Sequence, residues 1–262
     1  MKVALTIAGS DSGGGAGIQA DIKAIQAQGV FATSVITAVT AQNTVEVRAA
    51  HELPLSLVRT QLEAVLDDID VAATKTGMLS SAKMVETVCD VLRARKLRNL
   101  VVDPVMISKG GHPLLRDDAI DALTRELLPL ALVVTPNLHE ARRLINKDIA
   151  SIGDMRDAAA RIAGFGPRYV VVKGGHADFA LATDVFFDGE TATELRPDGE
   201  VIAASVHGTG CTFSAAIAAR LALGEPPLDA VTNAKRYITD VIRHAPDIGH
   251  GHRPGHHFYF LD

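Results

Sequence analysis

Residues 207–214, His-Gly-Thr-Gly-Cys-Thr-Phe-Ser, carry the strongest chemical signal in this sequence of 262 residues. The glycine-rich turn comes directly before a run of small and apolar residues, 214–223, that predicts a helix. Backbone N–H groups and the positive end of the helix dipole at such a start favour an anion, most often a phosphate. Cys211 lies beside that point, where the same field favours a thiolate. The alternative is a turn of small residues with a buried, inert cysteine.

The elements that would position this turn alternate regularly along the chain. Short strand candidates, apolar on both faces as in a buried parallel sheet, are separated by longer helical patterns. The predicted strands are 3–8, 33–40, 71–75, 99–103, 131–135 and 169–173, with a late β-hairpin at 181–188 and 191–196. The predicted helices are 16–28, 55–68, 81–96, 117–128, 137–146, 154–164, 209–223 and 228–244. We therefore expect one α/β domain over 1–262, with helices on both faces of a mostly parallel central sheet.

Each of the six strands is followed by a cluster of polar or glycine residues. In open parallel sheets, ligands bind outside the carboxyl ends of the strands, so the six clusters predict one continuous crevice. The clusters are 9–17, 40–43, Gly77 with Met78, 103–106, 135–137 with Glu140, and 173–176.

Two common nucleotide motifs are excluded. Residues 15–20 match the dinucleotide pattern G-x-G-x-x-A, but the strand ends near Ala8, so the match lies too deep in the helix start. The second strand also lacks an acidic residue at its end, and the sequence contains no Gly-Lys dipeptide for a P-loop. The glycines of 9–17 instead favour a close approach of the backbone to a small ring. Asp21, one turn into the helix, either points back to that ring or is a solvated helix charge.

Two carboxylates each have a structural and a functional interpretation. Asn137 and Glu140 have the spacing of a helix N-cap and its capping-box partner. The functional interpretation of Glu140 is a direct or water-mediated contact to Mg²⁺ beside nucleotide phosphates. Asp103 ends a central strand, where a buried carboxylate without a ligand would be costly, which favours function. Lys173 is a candidate phosphate contact, with an ordinary solvated strand-end lysine as the alternative.

Composition excludes several classes of function. A formal net charge of −5 without any basic run argues against a nucleic-acid-binding protein. No segment approaches the roughly 18 uninterrupted apolar residues of a membrane span, and the first residues do not resemble a signal peptide. Two cysteines make no disulfide framework, so a reducing cytoplasm is the expected location. Five of the ten histidines fall within 244–262, where a tail packed on the crevice edge is favoured over a zinc site.

Taken together, these segments resemble the hydroxymethylpyrimidine/phosphomethylpyrimidine kinases of thiamine biosynthesis, a family with a ribokinase-like fold. The resemblance covers nearly the whole chain, and its many ordered matches make it specific. It rests on segments 8–12, 14–23, 37–44, 75–79, 103–106, 135–141, 173–176 and 207–212.

The resemblance implies an activity and its cofactors. ATP and Mg²⁺ would serve to phosphorylate the hydroxymethyl group of an aminopyrimidine, and then the resulting monophosphate. K⁺ is a further candidate cofactor. The resemblance also implies a homodimer, and the paired glycines of 107–115 make that segment a candidate lid.

The resemblance also assigns roles to individual residues. Cys211 resembles the catalytic base, at a position where many ribokinase-fold sugar kinases have an aspartate. The anion hole is implied for Gly208, Thr209 and Gly210, the Mg²⁺ carboxylates for Asp103 and Glu140, and the nucleotide and phosphate contacts for Lys173, Asn137 and Thr135. Gln42 resembles the residue that hydrogen-bonds the aminopyrimidine, and the other substrate contacts would be Met78, Asp21, Gly9 and Val105.

Two further functions fit the same motifs. One is a pyridoxine or pyridoxal kinase, since related enzymes with this pattern phosphorylate those alcohols. Gln42 and Met78 favour the pyrimidine, because an amide can pair with an aminopyrimidine edge as both donor and acceptor. The other is a non-catalytic pyrimidine sensor, against which the phosphate-side residues argue.

Overall fold

The computed structural model describes residues 1–106, 117–175, 177–180, 182–199 and 206–261. The candidate lid at 107–115 and His176 of the sixth cluster lie outside these residues.

Within the described residues, one sheet of nine strands forms the middle layer, in the order β3-β2-β1-β4-β5-β6-β7-β8-β9. The strands from β2 across to β7 run parallel, and β3, β8 and β9 are antiparallel to their neighbours. Their bounds are β1 Val3–Asp11, β2 Phe31–Gln42, β3 Val47–Glu52, β4 Ala73–Thr76, β5 Leu100–Val102, β6 Val133–Val134, β7 Tyr169–Val172, β8 Asp184–Phe187 and β9 Ala192–Leu195.

Helices cover both faces of this sheet. Apolar residues of α1, α7 and α8 pack on one face, and those of α2 to α6 pack on the other. The predicted three-layer α/β fold is therefore confirmed. The helices are α1 Gly17–Ala27, α2 Leu55–Asp68, α3 Ala82–Ala94, α4 Asp117–Ala122, α5 Leu138–Ile145, α6 Ile152–Ala163, α7 Thr209–Ala222 and α8 Pro227–Arg243.

Two local predictions differ from the structure. The predicted helix 117–128 is α-helical only to Ala122 and continues as a π-turn and a 3₁₀-turn to Leu130, where Pro129 interrupts the hydrogen-bond ladder. Strand β3 was not predicted, because its residues are largely exposed and show no apolar alternation. It forms because Asn43 accepts hydrogen bonds from the N–H groups of Val45 and Glu46, a turn that folds the chain back onto β2.

Helix α7 is the most enclosed helix of the fold. Its small residues let α1, α8 and the sheet approach closely, and ten of its residues are buried. The start of α7 is consequently held by packing on several sides. In the described part of the chain, the helices are either too short or too polar to cross a membrane.

The histidine-rich tail packs beside the start of α7. Strand β11, Arg253–Pro254, pairs in parallel with β10, Val206–His207. His257 is buried, and its Nε2 lies 3.0 Å from the hydroxyl oxygen of Thr212. Burial lowers the pKa of His257 to about 4, so this ring is neutral at neutral pH.

Candidate active site

A cavity of about 710 Å³ opens at the carboxyl ends of the parallel strands. All six polar clusters contribute to its walls, together with the turn that begins α7. Twelve of the predicted site residues line it: Gly9, Gln42, Met78, Asp103, Val105, Asn137, Glu140, Lys173, Gly208, Thr209, Gly210 and Cys211. Asp21 and Thr135 do not line it, and the structure gives a reason for each.

Asp21 lies beneath the cavity rather than in it. It belongs to the buried face of α1, so its carboxylate faces the sheet, which corrects both the ring contact and the solvated charge expected for it. Its Oδ2 lies 2.8 Å from Nζ of Lys75 and accepts a 2.6 Å hydrogen bond from Thr6. Both side chains of the ion pair are completely buried.

The Asp21–Lys75 pair is electrostatically linked to the site. Burial raises the pKa of Asp21, and the attraction of Lys75 opposes that rise. Burial alone would lower the pKa of Lys75, but Asp21, Cys211 and Asp103 together raise it above its usual range. Because the two groups are in hydrogen-bond contact, we assign the charged form to both.

Thr135 acts on Asp103 instead of facing the cavity. Its hydroxyl is fully buried and lies 3.3 Å from Oδ1 of Asp103, to which it donates. Thr135 directly follows β6 and does not line the cavity, and its contact with a phosphate stays a prediction.

Asp103 and Lys173 form the charged centre of the cavity. Nζ of Lys173 lies 3.0 Å from Oδ1 of Asp103, and their side chains are 13% and 2% exposed. Burial would lower the pKa of Lys173, but Asp103 and Glu140 outweigh that effect and raise it. The ammonium also lies close to Gly210, so a fixed positive charge stands beside the start of α7.

Glu140 has the predicted structural role, and its contact with Mg²⁺ stays a prediction. Asn137 and Glu140 form a complete capping box at the start of α5, with bonds of 2.9 and 2.8 Å. The carboxylate is nevertheless part of the cavity wall. Burial is the main cause that raises the pKa of Glu140 to about 7, with Lys173 opposing and Asp103 adding to the rise.

Cys211 lies in the first turn of α7, at the cavity wall. The helix start was expected to favour a thiolate, but burial outweighs it and raises the pKa of this thiol to about 11. Lys75 below opposes the rise, and Asp21 and Asp103 add to it. The thiol is therefore the resting form, and its conjugate base is a strong proton acceptor.

Gly208 lets the turn before α7 pack closely against the loop between β1 and α1. It precedes α7 with a φ of 74°, and a Cβ there would lie only 1.8 Å from the carbonyl oxygen of Gly15. Only glycine fits, because the left-handed backbone and the close approach both exclude a side chain.

We expect Gly208→Ala to lower kcat at least tenfold and to reduce the melting temperature, because the new methyl group must displace the loop at Gly15. Gly224→Ala is the matched control, since Gly224 also has a positive φ, of 91°, but has open space around its Cβ position. It should show only the backbone strain of about 1–2 kcal/mol, with kcat unchanged. Equal kinetics in the two variants would contradict the steric argument. Steady-state assays and thermal melts measure both effects.

The sequence patterns assign no individual role to His207 and Asp11, which line the cavity beside Gln42, or to Lys75 beneath the cavity. Nε2 of His207 lies 2.8 Å from Nε2 of Gln42 and 3.1 Å from Oδ2 of Asp11. Asp11 in turn accepts hydrogen bonds from the N–H groups of Gly13, Gly15 and Ala16. An aspartate among glycines just after a strand is the available sequence signal. For Lys75 the signal is a charge inside an otherwise uncharged, buried strand.

Comparisons with known proteins show the family to which the chain belongs. Residues 11–256 match the family model for phosphomethylpyrimidine kinase. The chain is 50% identical over 260 residues to the hydroxymethylpyrimidine/phosphomethylpyrimidine kinase of Rhizobium meliloti (strain 1021), which covers 98% of this chain and 97% of that protein.

Solved structures of two enzymes resemble the chain over most of its length. An ADP complex of Bacillus subtilis pyridoxal kinase is 39% identical, with a TM-score of 0.92 over 100% of this chain and 99% of that one. The phosphomethylpyrimidine kinase of Clostridium difficile 630 is 41% identical, with a TM-score of 0.82 over 92% and 100%. The expected ribokinase-like fold is confirmed. The chain therefore belongs to the phosphomethylpyrimidine kinase family.

Proposed function

We propose that the chain is an ATP-dependent kinase that phosphorylates 4-amino-5-hydroxymethyl-2-methylpyrimidine and then its monophosphate, supplying the diphosphate for thiamine biosynthesis. The observation that carries this proposal is one cavity that joins a ring-sized end to a charged centre at a helix start. The relative that is half identical over its full length carries the name of both kinase activities.

The ring-sized end suits a flat, partly polar ring. It is lined by Gly9, Gln42, Met78 and Val105, and the Met78 methyl group packs over Gly9. Apolar walls with one amide are a common arrangement for binding a heterocycle and fixing its orientation.

The opposite end suits a nucleotide base. It is lined by Pro197, Phe213, Ile238 and Ile242, with Arg243 at the same end. An apolar cleft of this kind can hold adenine while the phosphates reach the charged centre at Lys173.

The start of α7 would hold the transferred phosphoryl group. The first N–H groups of a helix have no acceptor within the helix, so those of Thr209, Gly210 and Cys211 can donate to phosphate oxygens. Lys173 adds a positive charge from the side of β7. Together they stabilise the charge that spreads over the phosphoryl oxygens during transfer.

Cys211 would act as the base. The hydroxymethyl oxygen loses its proton to the thiolate sulfur as that oxygen bonds to phosphorus, and the bond from phosphorus to the ADP oxygen breaks. A thiol with a pKa of about 11 is seldom ionised at rest, but it is a strong base once it is. Lys75 beneath it favours the ionised form.

Asp103 and Glu140 would hold Mg²⁺. Both are buried oxygen donors in the cavity wall, and one or two carboxylates plus nucleotide phosphates and water are the usual ligands of this ion. Bound there, Mg²⁺ would neutralise charge on the phosphates. Asp103 is shared with Lys173, so its carboxylate can serve both cations.

The decisive experiment measures ADP release with ATP and Mg²⁺ for three acceptors: the pyrimidine alcohol, its monophosphate, and pyridoxal. We expect turnover of the first two, and no turnover when Mg²⁺ is omitted. Turnover of pyridoxal without turnover of the pyrimidine would instead establish the second candidate, pyridoxal kinase, which the 39% identical Bacillus subtilis enzyme favours.

Replacing Gln42 tests the ring contact. We expect Gln42→Ala to raise KM for the pyrimidine about 10- to 100-fold with a much smaller change in kcat, because the lost hydrogen bonds orient the ring and take no part in transfer. Gln26→Ala, an exposed glutamine of α1, is the control and should leave both constants unchanged. An unaltered KM in Gln42→Ala would contradict the proposed hydrogen bonds between Gln42 and the ring.

A homodimer is also part of the proposal. Val39 of β2 and Val45 of the turn between β2 and β3 are 46% and 59% exposed. Among the strands of the described residues, β3 pairs with β2 alone and forms an edge of the sheet. An exposed sheet edge with apolar side chains favours association with a second copy. Light scattering on the purified protein measures its mass directly, and a monomer at assay concentration would end this part of the proposal.

A further inference from the structure

His207 stands between an anion and the amide that faces the ring-sized end. Its Nε2 lies 3.1 Å from Oδ2 of Asp11 and 2.8 Å from the amide nitrogen of Gln42. The other end of that amide, Oε1, lies 3.2 Å from the hydroxyl oxygen of Thr40. Asp11, Thr40, Gln42 and His207 all line the cavity.

Asp11 behaves only as a hydrogen-bond acceptor. Burial would raise the pKa of its carboxyl, but hydrogen bonds from His207 and from the N–H groups of Gly13 and Ala16 outweigh burial and lower the pKa. A carboxylate with this many donors stays ionised at neutral pH. The group that approaches it from His207 must therefore carry a proton.

One nitrogen cannot satisfy both neighbours as donor and acceptor. If Nε2 of His207 carries the proton that Asp11 accepts, it cannot also accept a hydrogen bond from the NH₂ group of Gln42. The amide oxygen of Gln42 has to face His207 instead. Because the two ends of an amide have the same shape, their hydrogen-bond partners decide which end points where.

The partners at the other end agree with this orientation. Thr40 has one hydroxyl proton, and it can donate this proton to the carbonyl oxygen of Ser10 at 2.9 Å. The hydroxyl oxygen is then free to accept from the NH₂ group of Gln42. With the amide oxygen toward His207, the single Nε2 proton is shared between Asp11 and Gln42 in a three-centre hydrogen bond. With the NH₂ group toward Thr40, each remaining contact pairs one donor with one acceptor.

We propose that His207, held by Asp11, is a specificity-determining positioning residue that fixes which end of the Gln42 amide faces each part of the substrate ring. This rests on the proposed function, and it extends that function by naming the residue that selects the ring's donor and acceptor pattern. The fixed amide offers the cavity one lone pair of Oε1 and, beside it, one N–H.

The selected pattern is an amino group next to an unprotonated ring nitrogen. The amino group donates to the amide oxygen, and the ring nitrogen accepts from the amide N–H. In a 4-oxo analogue the ring edge is reversed, with a carbonyl acceptor next to a ring N–H. In the same binding orientation, donors then face donors and acceptors face acceptors, which costs far more than a missing contact.

The kinetic test compares kcat/KM for the 4-amino alcohol and its 4-oxo analogue. We expect the wild-type enzyme to prefer the 4-amino alcohol by at least about 100-fold. His207→Leu should reduce this preference at least tenfold by lifting the restraint on the amide, while kcat for the amino substrate changes less than about threefold. His207→Gln keeps a side-chain N–H near the position of Nε2, and it should retain most of the preference.

An NMR measurement provides a readout that needs no substrate. In two-bond ¹H–¹⁵N spectra of the free enzyme, Nε2 of His207 should carry a proton, and Asp11→Asn should perturb its resonance. An unprotonated Nε2, or an unchanged preference in folded His207→Leu, would overturn the inference. A wild-type enzyme that phosphorylates neither pyrimidine would overturn the proposed function and, with it, the specificity role of His207. The spectra would still decide the orientation of the Gln42 amide in that case.

Discussion

Replacing Cys211 with alanine is expected to lower kcat by roughly 10²- to 10⁴-fold, with KM for the pyrimidine within a few-fold of the wild-type value. This is the usual contribution of a positioned general base. Loss of an interaction made only during transfer reduces kcat and kcat/KM together, whereas a binding residue would change mainly KM. Steady-state kinetics with saturating ATP separate the two cases.

The pH dependence of kcat/KM tests the same hypothesis, because a thiolate base predicts the direction of the change. Only the thiolate accepts the proton, and burial raises the pKa of Cys211 to about 11, so its ionised fraction grows about tenfold per pH unit below that value. We therefore expect kcat/KM of the wild-type enzyme to rise with pH between about 8 and 9.5. This range lies above the pKa of about 7 of Glu140, so the ionisation of Glu140 contributes little to the rise.

Cys89 provides a matched control. It is the other free thiol, fully buried in the layer of α2 to α6, and burial raises the pKa of Cys89 to about 12 as well. Cys89→Ala should reduce stability through lost packing while kcat and its pH profile stay unchanged. A near-normal kcat in Cys211→Ala, or a pH rise that persists in that variant, would remove Cys211 from the role of base.

Replacing Lys75 with methionine is expected to destabilise the protein by about 3–5 kcal/mol at neutral pH. The substitution keeps the volume but leaves the carboxylate of Asp21 completely buried without its counter-ion. Thr6 still donates one hydrogen bond to it, which is too little to solvate a full charge. Urea or thermal unfolding measures the loss.

Acidification should reduce this loss. Without Lys75, burial raises the pKa of Asp21 further, because the hydrogen bond from Thr6 opposes that rise only weakly. The folded variant therefore holds a proton that the unfolded chain releases at about pH 4. Stability of the variant is therefore highest in acid and falls as the pH rises through the raised pKa. We expect a smaller difference from wild type at about pH 5 than at about pH 8.

Two further variants distinguish the stability lost by breaking the buried ion pair from the stability lost by removing any positive charge. Arg59→Met removes an ion pair with Asp90 whose side chains are 43% and 62% exposed, and it should cost less than about 1 kcal/mol. The double variant Lys75→Met with Asp21→Leu removes both charges and should recover most of the stability lost in Lys75→Met. Equal stability of Lys75→Met and Arg59→Met would contradict the argument.

Sequence patterns predicted the features that repeat along the chain. Buried strands and amphipathic helices have clear periodicities, so the six parallel strands and the layers that cover them follow from residue types alone. The strand-end clusters then predict that Gln42, Asp103, Lys173 and Cys211 line one cavity, because parallel strands end at one edge of their sheet.

The parts that could not be predicted depend on long-range partners. In the sequence, Asp21 has the pattern of a charge on a helix surface. Its ion-pair partner Lys75 lies in β4, 54 residues further along the chain, so the pattern around Asp21 does not reveal the pair. The exposed strand β3 has no pattern of its own and exists through pairing with β2. The raised pKa of Cys211 reflects how deeply α7 is enclosed, and a helix start by itself suggests the opposite direction.

The pairing of β10 with β11 has a consequence for the order in which the protein is made. The turn that begins α7 is held by Arg253–Pro254 and, through Thr212, by His257, residues that leave the ribosome after the rest of the cavity wall. A nascent chain that has emerged only as far as α8 therefore lacks the contacts that hold the turn at the start of α7.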